Sequence, residues 1–566
     1  MKRLRLLAAG ILAATLLLTS CAGLPTSGPV SVGRGMGDEP SDPDFTQIAA
    51  SPEKGASPAQ IVQGFLDAAI TPTDNWEIAR KYLTEKAAQT WRPLAGVTID
   101  SSAGSRQITP GHDVDDKSKN VDVDVQLDQV ANVDDQGVYT PLRGPSPTTF
   151  EVIRDQNGEW RISQAPDGIV LDEALFPQVF DSYALQFFDR SWTHLVPDVR
   201  WFPRRLKSIA TTVAGKVIGG KPAAWLAPGV RSAFSDDVTL ASSTVTVTAE
   251  AVAKVDLTPA VLSQDSATLA RMRTQLEASL APLGVGEVQL TVDGQPLDAG
   301  KASVDTQSPD SGMLVLTKSG FGTPVGDEIS AVGDVTAQIG KILDPLASVD
   351  VAVNDSRAAV QLRDGRVYLV HDGDTTELDT RKSLIAPSLD IYGYTWTVPR
   401  DDPHAVKVTG ADAAPADVEN AWRDASAISQ LRVSADGARV AAVVTVGGQR
   451  RAVVAAVVRD DKGIPVQLGT METVARLSGP AQGLAWVGGD AIAVLVSAES
   501  PQVIIQTIGG PGESSSAPTG SMAIAGAQTS SGVRILGSNG VVYARRGSIW
   551  QATGVEAELL GTRAGQ

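Results

Sequence analysis

The 566-residue chain has one cysteine, four histidines and few aromatic residues, 5% of the total. A single thiol excludes an internal disulfide and any cysteine-rich metal site, so packed cores must hold the domains. His112, His194, His371 and His404 are scattered, with no i, i+4 pair and no metal-ligand spacing. Neither a Gly-x-Ser-x-Gly elbow nor a Walker-type phosphate loop occurs. Asp113, Asp115 and Asp116 lack the liganding residue and glycine that a calcium loop needs next, where Lys117 and Ser118 stand. With no catalytic set, cofactor motif or metal site, the chain reads as a non-enzyme that needs no cofactor. Basic residues are outnumbered, 48 Lys and Arg against 65 Asp and Glu, for a net charge of −17. Such a surface is repelled by nucleic acid and by anionic lipid heads, which argues against a nucleic-acid partner.

Long apolar runs are lacking too, apart from Leu6–Leu18. Lys2, Arg3 and Arg5 precede it, and it is shorter than the roughly 20 residues that span a bilayer, so it reads as an export signal. Leu18-Thr19-Ser20-Cys21 then matches a bacterial lipobox. In that pattern the Cys21 thiol takes a diacylglycerol, cleavage removes residues 1–20, and the new N-terminus is N-acylated, with palmitate as the expected chain type. Each buried methylene contributes about 0.8 kcal/mol, so several acyl chains give stable anchoring. The protein is therefore expected on the outer face of the cell membrane, extracytoplasmic and held by lipid. Residues 21–56 are rich in Pro, Gly, Ser and Asp and read as a flexible membrane tether. As coil they reach on the order of 30 Å.

Three modules are expected beyond the tether. In residues 57–175, Ser57-Pro58-Ala59-Gln60 forms a capping box ahead of an apolar face at Ile61, Val62, Phe65, Leu66 and Ala69. A second helix start is read at Asp74, with Glu77 three residues on. Val121, Val123, Val125 and Leu127 then alternate with polar residues as a half-buried strand, and Asn157-Gly158 marks a hairpin. Helices followed by antiparallel strands resemble an α+β NTF2-like cone.

Residues 176–345 begin with a strand expected to turn at Pro197. An alternating hairpin follows at 244–257, then a helix with Leu269, Met272, Leu276, Leu280 and Leu283 on one face, closed by Gly284. "VQLTVDGQPL" supplies a strand and an Asp293-Gly294 turn. Strand–helix–strand order makes this an α/β or α+β unit, and α/β is the expected class. Phe187-Phe188, Leu195-Val196-Pro197, "VAKVDLT" and "VQLTVDGQPL" resemble a GerMN domain.

Residues 346–566 consist of short apolar strands behind Gly-containing turns, as in "SADGARVAAVV" and "VGGDAIAVLV". This texture suits an all-β propeller of about five blades at about 40–50 residues each; a β-sandwich is the competing fold. Trp396, Trp422, Trp486 and Trp550 could line a sugar-binding face, although blade packing is the commoner role.

Lipobox, tether, NTF2-like domain, GerMN and propeller, in that order, resemble the LpqB family of actinobacterial lipoproteins. "CAGLPTSGPV", "LVPDVRWFPR" and "LRVSADGARVAAVV" carry the resemblance. It implies an accessory role in a two-component system: contact with the external domain of an MtrB-type membrane sensor histidine kinase that governs cell-wall homeostasis and division. The alternative is a cell-envelope lipoprotein that binds or processes wall glycan, with peptidoglycan as its partner.

Overall fold

The fold of the first module follows from one amphipathic helix and one long strand. The structure, a computed structural model, describes residues 50–566 other than 113–114, 116–117, 205, 207, 306–311 and 412–413. The signal peptide, Cys21 and nearly all of the tether, together with Asp113 and Asp116 of the acidic loop, lie outside the described residues.

Helix Pro58–Ala69 starts with the expected box. Ser57 N–H donates to Gln60 Oε1 at 2.8 Å, and Gln60 N–H donates to Ser57 Oγ at 3.4 Å. Its buried face, Ile61, Val62, Phe65, Leu66 and Ala69, covers a sheet whose central strand is Asn120–Asp134. There Val121, Val123, Val125 and Leu127 point inward and their neighbours outward, as period-two alternation requires.

The helix start expected at Asp74 does not form. Asp74, Asn75 and Trp76 all have positive φ, and helix Glu77–Arg80 begins without a side-chain cap. The Trp76 indole decides this segment: it is buried and donates to Ala69 O at 2.8 Å.

In the middle module, strands Phe180–Asp189 and Leu195–Pro203 form a hairpin registered from Phe188↔Leu195 to Phe180↔Pro203. The chain turns at residues 190–194, not at Pro197, which sits opposite Gln186 within the second strand. Proline is tolerated there because this strand is the edge of its three-stranded sheet. Strands Val252–Asp256 and Glu287–Val292 pair in parallel through helix Ser266–Leu280, capped by Asp265 Oδ1 on Thr268 N at 2.7 Å. The Asp293-Gly294 turn follows with φ of 49° and 74°, the left-handed geometry that the Asp-Gly pair favours.

The last module is a propeller. Four-stranded or larger sheets occupy 346–379, 388–417, 427–476, 481–516 and 521–556. A sixth blade is split between distant segments. Strand Leu559–Arg563 pairs antiparallel with Leu314–Thr317, whose neighbours Gly320–Val325 and Glu328–Ser330 complete the blade. The propeller therefore begins ahead of residue 346, and among the described residues it has six blades, not about five. No single run of sequence carries the closing blade, which is why its periodicity is hidden. At the hub, Asp350 accepts Leu389 N–H at 2.7 Å and Thr562 Oγ1–H at 2.6 Å, tying three inner strands together. Burial pushes its carboxyl above the usual range.

Among the described residues, no helix is long and apolar enough to cross a membrane.

Candidate functional site at the three-module junction

One hairpin of the middle module touches both of its neighbours, and the contacts differ at its two ends. At its base, Val199 and Trp201 of "LVPDVRWFPR" belong to the apolar core of the first module. The Trp201 ring lies 4.9 Å from Phe176, and its backbone N–H donates to Gly137 O at 2.8 Å. The indole N–H donates to Gly509 O of the propeller at 2.8 Å. Two glycines allow this approach. A Cβ on Gly137 would meet the Phe202 ring at 2.9 Å, and one on Gly510 would meet the Trp201 ring at 2.9 Å. Asp198 and Arg200 form a buried pair at 2.6 Å, and Asp198 also accepts Ala223 N–H at 2.8 Å. Beside them lies a cavity of about 320 Å³ walled by all three modules.

At the tip, Asp189 shapes the turn by accepting the backbone N–H groups of Thr193 at 2.7 Å and His194 at 2.8 Å. Ser191 donates to the same carboxylate, and so does Tyr392 of the propeller at 2.9 Å. Burial alone pushes the Asp189 carboxyl up, but the bonds from His194, Ser191, Tyr392 and Thr193 outweigh it and hold it below the usual range. Burial, helped by the Asp189 charge, pushes the Tyr392 phenol up to about 12. Gly437 of "SADGARV" lets the blade turn approach: a Cβ there would meet the Tyr392 ring at 2.6 Å. Arg459 lies over the Tyr392 ring, 4.2 Å from its centroid, and pairs with Asp390 at 2.8 Å.

The tip holds a serine, a histidine and an aspartate, but not in the order of a nucleophile relay. Ser191 donates to Asp189 rather than to His194, whose Nδ1 is 3.0 Å from Thr193 Oγ1 and 4.0 Å from Asp189 Oδ2. A relay needs the base against the nucleophile and the acid behind the base. This cluster clasps two modules. Among the described residues, no three His, Cys, Asp or Glu side chains converge as metal ligands.

The tryptophan face expected as one option does not form. Trp396, Trp422 and Trp486 are each 1% exposed, with Trp396 donating to Asp390 Oδ2 and Trp486 to Arg432 O, both at 3.1 Å. Trp550 packs half-buried against the core between two blades. Burying the rings between blades yields more than exposing them would, so they serve packing. The turn motif is structural as well: Ser434 donates to Asp436 at 2.7 Å, and Asp436 pairs with Arg439, whose guanidinium lies over Trp486. Of the histidines, His112 and His404 are exposed and His371 is half-buried, so only His194 enters a cluster. Sequence reasoning missed Asp189, His194 and Tyr392. The "DRSWTH" loop, an Asx-type turn, was the one local hint.

Three family models match consecutive parts of the chain. They are "Lipoprotein LpqB, N-terminal domain" at residues 51–177, "Sporulation and spore germination" at 184–298, and "Lipoprotein LpqB beta-propeller domain" at 325–558. The chain belongs to the LpqB lipoprotein family. A Lipoprotein LpqB of Streptomyces avermitilis is 26% identical, with 94% of each chain covered. That of Streptomyces coelicolor is 28% identical over 79% of this chain and 78% of its own. That of Rhodococcus opacus is 26% identical over 88% of this chain and 86% of its own. The LpqB N-terminal and propeller matches flank the middle module, and the hairpin that joins all three falls within the 184–298 match from Ala184 onward.

Proposed function

We propose that this chain is a lipid-anchored extracytoplasmic accessory protein that binds the external domain of an MtrB-type sensor histidine kinase. Through that contact it modulates a two-component system controlling cell-wall homeostasis and division. Membership in the lipoprotein family and the lipobox at Cys21 support an anchor on the membrane that also holds the sensor. Confinement to one surface raises the effective concentration of each for the other, as a tether does. The observation that carries the reading is the junction: Trp201 lies in the core of one module while bonding the propeller, so three modules can act as one contact body. On this reading the protein works by binding and not by catalysis.

The test measures association of the full chain, in detergent, with the purified external domain of the kinase. Saturable binding and capture of the kinase by crosslinking in cells, weakened when Cys21→Ala removes the anchor, are expected. No association between two folded partners would overturn the proposal.

A further inference from the structure

The cavity beside Trp201 has about 320 Å³, at the lower end of the range for small-ligand sites. Each module contributes one carboxylate to its wall: Asp134 from the first, Asp198 from the second and Glu472 from the propeller. Among the described residues, no lysine, arginine or histidine lines it. Asp198 is matched by Arg200 at 2.6 Å, and Asp134 Oδ1 accepts the backbone N–H groups of Gln136 and Val138 at 2.8 and 2.9 Å.

Glu472 differs from both. Its strand, Glu472–Arg476, holds it half-buried, and its carboxylate makes no hydrogen bond or ion pair with the described residues. Burial pushes that carboxyl above the usual range. A desolvated carboxylate without a counter-charge is costly unless something supplies one. Tyr139, Trp225 and Ile508 line the same cavity and give it aromatic and apolar wall. A cation carrying its own hydrocarbon stem answers each of these features. Its charge meets Glu472 in the field of Asp134, and its stem and head lie along the aromatic wall.

We propose that the three-module cavity binds a primary alkylammonium group, with Glu472 as its counter-charge and Tyr139 and Trp225 as its wall. This goes beyond the kinase reading and does not depend on it. The group could arrive on a free diamine or on a lysine side chain.

The test titrates the full chain in detergent, by calorimetry, with 1,5-diaminopentane and with Nα-acetyl-lysine amide, using 1-pentanol as the uncharged stem. Saturable binding of at least one amine, with none for 1-pentanol, is expected. Glu472→Gln should weaken it about tenfold or more, since it removes one partner of a desolvated charge pair. Tighter binding of the diamine assigns a free amine as the source, and tighter binding of the lysine amide assigns a side chain. Ala224→Phe narrows the cavity from an exposed position of its rim while leaving every carboxylate in place. It should weaken both amines, and it decides the matter if Glu472→Gln does not fold. No saturable amine binding at millimolar concentration, or unchanged binding in the folded variants, overturns the proposal.

Discussion

At its base the hairpin Phe180–Pro203 meets its neighbours through Val199, Trp201 and Phe202, all buried. At its tip it meets the propeller through a carboxylate, hydroxyls and an imidazole. The base relies mainly on apolar area, which is non-directional and does not titrate, with the Asp198 carboxylate beside it matched by Arg200. The tip relies on bonds to one charge, Asp189, that are at full strength only while the carboxylate is ionised and each donor is in place. One element thus carries a fixed joint and an adjustable one, and substitutions at each end should separate them.

The largest effect is expected at the base. Trp201→Ala removes a ring that is 8% exposed and that packs on Phe176 while bonding Gly509 O. It should cost about 3–5 kcal/mol, the range for a buried aromatic replaced by alanine. Calorimetry should then show the first module melting apart from the propeller; a single unshifted transition would break the comparison. At the tip, Asp189→Ala leaves the N–H groups of Thr193 and His194 without their acceptor. A loss of about 2–3 kcal/mol is expected, read as faster hydrogen exchange in the 189–194 turn, with the Gly137 contact unchanged.

Tyr392→Phe removes only the hydroxyl that donates to Asp189. It should cost about 1–2 kcal/mol in the same exchange measurement.

The pH dependence sharpens the contrast further. Because the folded state holds the Asp189 carboxyl below its ordinary value, the stabilisation is present above the unfolded value of about 4 and fades as pH falls through the lower folded value. Acid titration should loosen the tip before the base, and Asp189→Asn should flatten that part of the curve. Equal acid sensitivity of wild type and Asp189→Asn would assign the effect to other carboxylates.

How far the sequence could be read depended on how local each determinant was. Ser57 and Gln60 lie three residues apart, Val121 to Leu127 alternate within one strand, and Asp293-Gly294 shapes its own turn; each was legible. Pro197 misled because a proline looks the same in a turn and on an edge strand until the sheet is known. Asp74 misled because burial of the Trp76 indole overrode the capping pattern. The tryptophans could be read as a ligand face or as packing, and only their positions between blades settled it. The junction was hardest to see: Asp189 and Tyr392 are 203 positions apart, and Trp201 and Gly509 are 308 apart.

The sequence by itself determined the acidic balance, the lipobox at Cys21, the order of three modules and most local strand and helix starts. These depend on composition or on residues within a few positions of one another. Tertiary structure alone decided that the propeller closes with a blade drawn from both sides of its sequence, that Trp201 joins two modules, and that Glu472 lines a cavity with no partner among the described residues. Such contacts form when distant surfaces match in shape and charge, and one-dimensional spacing holds no record of that match.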